Sequence, residues 1–78
     1  MAVEVYQNLS GDSGVARYSV SPDSIAIEFM NGSTYVYDYA TTGEEAVEEM
    51  KMLARHGEGL NTFINRHVKK RYAWRATS

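Results

Sequence analysis

Residues 24–39 have the sequence SIAIEFMNGSTYVYDY, which contains the two clearest strand patterns of the chain. Before the turn, Ile25, Ile27 and Phe29 alternate with smaller or charged residues, as in a strand with one buried face. The Asn-Gly pair that follows is the strongest short-range signal for a β-hairpin. Beyond it, tyrosines at positions 35, 37 and 39 are spaced by two, which places all three on one face of a strand. The segment therefore predicts an antiparallel hairpin.

The turn permits two registers, and they place the tyrosines on different faces of the sheet. A two-residue turn at positions 31–32 sets Ile27 opposite Val36. A three-residue bulged loop at positions 30–32 sets Ile27 opposite Tyr35 instead. A slip of one residue moves every side chain to the other face. We favour the bulged loop, because it gathers isoleucine and tyrosine into one thicker core.

Two further segments upstream carry strand patterns. Residues 15–20 alternate, with Tyr18 and Val20 on one face and Val15 on the other, so they predict a half-buried strand. Residues 2–6 alternate weakly and predict either a short edge strand or a loose arm.

Two helices are expected downstream. The first begins at Thr42, whose hydroxyl can cap it, with Glu45 completing a capping-box pattern. Gly57 ends this helix as a left-handed cap. Its buried stripe comprises Val47, Met50 and Ala54, with Ala46 and Leu53. The second helix covers residues 60–68, and its apolar face comprises Leu60, Phe63, Ile64 and Val68.

These patterns predict an α+β fold, in which a three-stranded antiparallel sheet is covered on one face by two helices. The tail alternates basic and aromatic residues, so it can add a short C-terminal strand or pack as an extended arm. We expect residues 1–12 to form a flexible arm or edge strand and residues 13–78 to form a single domain.

The ordered set of motifs resembles the KTSC domain family. The pattern Tyr35-Val36-Tyr37 after an Asn-Gly hairpin is similar to the central signature of that family. The run Asn65-Arg66, with Arg71-Tyr72 and Arg75, resembles its closing segment, although Ala73 and Trp74 stand where proline and tyrosine are frequent. The residues that carry the resemblance most directly are Tyr35, Tyr37, Asn65, Arg66 and Tyr72.

The resemblance implies a fold and a hypothesis about function. The family occurs as small bacterial proteins and at the C-terminus of some lysyl-tRNA synthetases, and RNA binding is suspected for it mainly because of that connection. It implies no catalytic activity.

Charge is strongly segregated along the chain. Residues 1–60 contain ten acidic residues and three basic ones, whereas residues 61–78 contain five basic residues and no acidic one. The basic and aromatic residues near the C-terminus can contact phosphates and stack on unpaired bases of RNA or another single-stranded nucleic acid. These candidate residues are Arg66, Lys69, Lys70, Arg71, Tyr72, Trp74 and Arg75.

Other interpretations of the same residues stay open. The basic side chains can form a solvated face while Tyr72 and Trp74 pack inside the domain. The tail can also lie against the glutamates that begin the first helix. For Tyr35 and Tyr37 we favour a place in the core over an exposed stacking platform, and Tyr39 is expected to be more open. The rival function is a protein-interaction module, which binds a protein partner or forms a homodimer.

Composition excludes several other classes of protein. The chain has 78 residues and no cysteine, so disulfides and thiolate metal sites are excluded and a reducing, cytoplasmic compartment is expected. No segment approaches the length of a membrane span, and we expect no signal peptide. His56 and His67 are eleven residues apart, so no metal site is expected. We nominate no catalytic residue and no cofactor.

Overall fold

An antiparallel sheet forms the framework of the domain. The computed structural model describes residues 3–9, 11, 13–68 and 70–76. In this part of the chain the sheet has five strands, which are adjacent in sequence order. The strands are β1 (Val3–Val5), β2 (Val15–Ser21), β3 (Ser24–Phe29), β4 (Thr34–Asp38) and β5 (Trp74–Ala76). The α+β class is confirmed, and β1 and β5 extend the three predicted strands at both edges.

The β3–β4 hairpin has the bulged register. Ile27 pairs with Tyr35. The amide of Phe29 donates to the carbonyl of Ser33 at 2.8 Å, which closes the loop over residues 30–32. Gly32 has a φ of 91°, a conformation that glycine adopts without steric cost. The favoured register is therefore confirmed, and it turns Tyr35 toward the helices.

Strand β2 contains an irregularity that the alternating pattern did not predict. Val15 pairs with Phe29, but Arg17 pairs with Glu28, so Ala16 is an extra residue in β2. A bulge of this kind shifts the side chains before it to the opposite face. Val15 and Tyr18 consequently both lie in the core, and the prediction that they face opposite ways is wrong.

The first helical region is divided in two. Asp38 ends β4, and its carboxylate accepts a hydrogen bond from the Thr41 amide at 2.8 Å, which begins the short helix α1 (Tyr39–Thr42). Gly43, with a φ of 102°, separates it from α2 (Glu44–His56). The prediction that Thr42 caps the main helix is wrong, because Asp38 caps an earlier turn. Tyr39 is helical, so it does not continue the tyrosine stripe of β4.

Helix α2 ends as expected. Gly57 is left-handed, with a φ of 85°, and its amide donates to the Leu53 carbonyl at 2.9 Å. Val47, Met50 and Ala54 form the predicted buried stripe.

The second helical region begins as α3 (Leu60–Phe63) and continues as a π-helical turn over Ile64–Val68. Leu60, Ile64 and Val68 are buried, which confirms its predicted apolar face. A π turn contains more residues than an α turn, so residues at a spacing of four stay on one side of the helical region as far as Val68.

One hydrophobic cluster joins the sheet to the helices. It includes Ile25 and Tyr37 from the sheet, Met50 from α2 and Leu60 from α3. Tyr6, next to β1, belongs to the same cluster, and its hydroxyl accepts a hydrogen bond from the Leu60 amide at 3.3 Å. None of the helices described here combines the length and apolar character needed to cross a membrane.

Candidate functional site

A cleft of about 680 Å³ lies between the β3–β4 hairpin, the π turn and the C-terminal tail. We call it the tyrosine cleft. Its aromatic residues come from the hairpin and the tail, and its polar residues come mainly from the helical region and the tail. The lining comprises Gly14, Phe29, Met30, Asn31, Tyr35, Tyr37, Asn61, Ile64, Asn65, Lys70, Tyr72 and Arg75.

An aromatic wall forms one side of the cleft. The ring of Tyr35 meets the ring of Tyr72 edge to face, with centroids 4.9 Å apart, and meets Phe29 in the same way at 5.4 Å. Tyr37 stacks nearly parallel to Tyr35 at 6.4 Å. Such contacts hold the rings in fixed orientations. Tyr72 and Tyr35 are only partly buried, so the wall retains surface that a ligand can reach.

Two cations stand at the same cleft. Lys70 and Arg75 are both exposed and both line it. The guanidinium carbon of Arg75 lies 5.8 Å from the centroid of the Tyr72 ring, within the range of a cation–π contact. No aspartate or glutamate is among the described lining residues. The cleft therefore has a positive and aromatic character within a chain of net charge −2.

Asparagine side chains complete the polar lining. Asn61 and Asn65 are four residues apart, so they lie on one face of the helical region. Asn31 comes from the hairpin loop, where its side-chain oxygen accepts the Ser33 amide at 3.0 Å. An amide side chain offers both donors and an acceptor. The sequence pointed to Asn31 only as a turn residue and to Asn65 only through the family resemblance. The spacing of Asn61 from Asn65 was a usable signal for the site.

The hydroxyl of Tyr37 stays protonated over the whole physiological range. Burial, with smaller contributions from Tyr35 and Tyr72, raises the pKa of Tyr37 to about 12. Tyr37 is only 1% exposed, so this neutral phenol belongs to the core rather than to the surface that a ligand can reach.

The structure separates the residues that the sequence grouped as one basic–aromatic segment. Lys70, Tyr72 and Arg75 come together at the tyrosine cleft. Arg66 is exposed on the π turn and is not among the cleft's lining residues. Lys69 lies outside the described residues.

Arg71 points to a different surface. Its guanidinium donates to the carbonyl of Thr42 at 2.6 Å, and the Thr42 hydroxyl donates back to the Arg71 carbonyl at 2.6 Å. This reciprocal pair ties the tail to the junction of α1 and α2. Arg71 also lines a second, open concavity, which we call the acidic groove, together with Glu44, Glu45, Glu48, Glu49 and His67.

Trp74 lies on the face of the sheet that is turned away from the helices. It pairs with Val36, whereas the next residue, Arg75, pairs with Tyr35 on the cleft side. Trp74 is 55% exposed. Tyr72, which lines the tyrosine cleft, and Trp74 therefore lie on different surfaces of the domain.

In the described part of the chain, no group of three or more His, Cys, Asp or Glu side chains could hold a metal ion. His56 and Glu58 form an exposed pair at 3.7 Å.

Comparison with known proteins gives no family or function for the chain. No protein-family model matches the chain, and no curated protein or solved structure matches it either.

Proposed function

We propose that the domain is a non-catalytic module that binds single-stranded nucleic acid, RNA in the first instance, in the tyrosine cleft. One observation carries this proposal. The cleft combines an aromatic wall with Lys70 and Arg75, and no carboxylate is among its described lining residues. Proteins that bind single strands use this combination of a positive groove and stacking rings.

The two cations would meet the phosphates. Lysine and arginine gain affinity by releasing counterions from the nucleic acid, so binding that depends on them weakens as salt rises. The Arg75 guanidinium lies near Tyr72, so a phosphate on Arg75 would leave the adjoining nucleotide beside an aromatic ring.

The aromatic wall and the amides would meet the bases. Tyr72 is partly exposed and its orientation is fixed by Tyr35, so it can stack on an unpaired base. Asn61 and Asn65 can donate to and accept from the edge of that base. Recognition of single-stranded RNA commonly joins stacking with hydrogen bonds to base edges.

The resemblance to the KTSC family supports the choice of this cleft. Of the five residues that carry it most directly, Tyr35, Tyr37, Asn65 and Tyr72 line the tyrosine cleft. We also propose that the protein acts in the cytoplasm, where the lack of cysteine is compatible with reducing conditions.

The first test is the salt dependence of RNA binding. We expect a labelled single-stranded RNA of about eight nucleotides to bind at about 50 mM salt and to bind more weakly at about 200 mM. Lys70→Ala and Arg75→Ala should each reduce the slope of log affinity against log salt by about 0.7, the value for one phosphate contact on a single strand. Arg55→Ala is the matched control, because Arg55 is exposed on α2 and is not among the lining residues.

The second test leaves the charges in place. Tyr72→Ala should weaken binding by about 1–3 kcal/mol, the range for one stacked base. Gly14→Leu should also weaken it, because a side chain at Gly14 points toward Asn61 and Phe29 and a larger one would occupy the cleft. A wild-type protein that binds no RNA at about 50 mM salt would contradict the proposal.

A further inference from the structure

Strand β5 places neighbouring residues on opposite sides of the sheet. Arg75 pairs with Tyr35 and lines the tyrosine cleft, while Trp74 pairs with Val36 on the other face. This alternation follows from the pleat of a strand. The cleft and the indole are therefore one residue apart along the backbone, on the two sides of a single edge strand.

The edge between them is accessible. β5 is the last strand in the sheet order, so its outer edge has no neighbouring strand among the described residues. An edge strand of this kind presents backbone donors and acceptors outward. Trp74 is 55% exposed, so its indole has a large area available for contact.

We infer that a single strand held in the tyrosine cleft continues over the outer edge of β5 and stacks a further base on Trp74. This inference rests on the proposed function. Arg75 belongs to the cleft and Trp74 follows it directly across the edge, so the two contacts form one continuous path. Each base offers a π-face and the indole offers another, so the stacking needs no particular sequence.

The path implies a minimum ligand length. A mononucleotide that fills the cleft does not reach the other face of the sheet. Sites for single strands commonly cover about 4–16 nucleotides, and a strand of about eight can bridge the two contacts. Trp74 should therefore contribute to the affinity for the longer ligand and not to the affinity for a mononucleotide.

The chain has a single tryptophan, so its fluorescence reports on this one position. The experiment titrates the full chain with uridine monophosphate and with an eight-nucleotide RNA. We expect the longer RNA to change the tryptophan emission and the mononucleotide to leave it unchanged. NMR shifts of the tyrosine ring protons report binding of the mononucleotide in the cleft.

Trp74→Ala tests the energetic contribution. It should weaken binding of the eight-nucleotide RNA about 5- to 150-fold, the range for one stacked base, and leave mononucleotide affinity unchanged. Trp74→Phe should retain most of the affinity, because phenylalanine also stacks. Val3→Ala is the control, since Val3 is exposed on the first strand at the opposite edge of the sheet.

The outcomes separate the two proposals. If Trp74→Ala binds the longer RNA with wild-type affinity and the emission of the wild type does not change, the inference is overturned while the cleft proposal stands. If neither ligand binds, the proposed function fails. If the emission shifts with protein concentration alone, and light scattering shows a doubled mass, a second copy covers Trp74 and the inference is again overturned.

Discussion

Lys51 lies inside the domain, although lysine side chains are rarely buried unless their charge is paired. Its ammonium donates to the Pro22 carbonyl at 3.0 Å and to the Glu48 carboxylate at 2.8 Å. It also lies 5.5 Å from the centroid of the Tyr39 ring. A single side chain thus ties α2 to the turn between β2 and β3.

Replacing Lys51 by methionine should lower the free energy of unfolding by about 1–3 kcal/mol. The Pro22 carbonyl loses its donor, while Glu48, whose side chain is 48% exposed, can be hydrated instead of remaining a buried charge. Urea unfolding measures the effect. Lys70→Met is the control, because Lys70 is exposed, and it should change stability by less than about 0.5 kcal/mol. Equal values for the two variants would contradict this role of Lys51.

Tyr37 should make the fold sensitive to alkali. Burial raises its pKa from 10.0 to about 12, so above pH 10 the unfolded chain loses this proton while the folded chain keeps it. The unfolded state then binds fewer protons, and stability falls as pH rises, by up to about 1.4 kcal/mol per pH unit. Well below pH 10 the phenol is protonated in both states, so it contributes no pH dependence to the free energy of unfolding.

Urea unfolding at several pH values above about 9 checks this prediction. Tyr37→Phe should unfold with a shallower pH dependence than the wild type, since the ring stays and the ionisable group is removed. The Tyr39 hydroxyl donates to Glu48, which raises the pKa of Tyr39 to about 12 as well. This contact is exposed, so solvent screening should make the effect of Tyr39→Phe on the profile smaller than that of Tyr37→Phe. Parallel profiles for wild type and Tyr37→Phe would refute the assignment.

At the scale of elements, the sequence predicts what local chemistry determines. The β3–β4 hairpin follows from the Asn-Gly turn and the alternating apolar residues. Its register follows from the gain in core size when tyrosines pair with Ile25 and Ile27 on one face. The end of α2 at Gly57 follows from the conformational freedom of glycine. The division of the first helical region at Gly43 was not predictable, because Thr42 and Glu45 form an equally acceptable cap in sequence. In the structure the Thr42 hydroxyl donates instead to the carbonyl of Arg71, a residue distant in sequence.

The candidate site, too, could be predicted only in part from the sequence. The sequence suggested Lys70, Tyr72 and Arg75 as candidate binding residues, and the structure brings them to one cleft. The sequence could not show that Trp74 and Arg71 lie on other surfaces. Their directions depend on how the tail pairs with β4 and on the contact between Arg71 and Thr42. Such directions are set by partners distant in sequence.

The end of α2 supplies a prediction about packing. A Cβ atom at Gly57 would lie 2.6 Å from the Cβ of Gln7, so Gly57→Ala combines left-handed strain with a clash that no flexible side-chain end can relieve. Gly59 has a similar φ of 88°, but a Cβ there would lie 3.5 Å from Leu53, an ordinary contact. Gly59→Ala should therefore cost about 1–2 kcal/mol, and Gly57→Ala at least about 1 kcal/mol more. Urea unfolding compares them, and a smaller loss for Gly57→Ala would mean that the arm before β2 does not pack on α2.

At the scale of the whole molecule, the glutamates of α2 and the cations of the tyrosine cleft occupy different surfaces. Glu44, Glu45, Glu48 and Glu49 line the acidic groove, whereas the described lining of the tyrosine cleft contains cations and no carboxylate. The domain extends over 31 × 26 × 26 Å. The screening length of salt is about 8 Å at physiological ionic strength and increases to about 30 Å at 10 mM. Repulsion through solvent between the glutamates and an anionic ligand at the cleft is therefore weaker at physiological salt than at low salt.

Changing Glu44, Glu45 and Glu49 together to glutamine tests this separation. At about 10 mM salt the association rate with the eight-nucleotide RNA should rise severalfold, because the repulsion that opposes steering is reduced. At about 150 mM the rate should match that of the wild type. Glu48 is left unchanged because it holds Lys51 and Tyr39, and circular dichroism verifies that α2 remains folded. Stopped-flow fluorescence measures the rates, and an equal acceleration at both ionic strengths would show that the glutamates contact the RNA directly and that the two surfaces do not act separately.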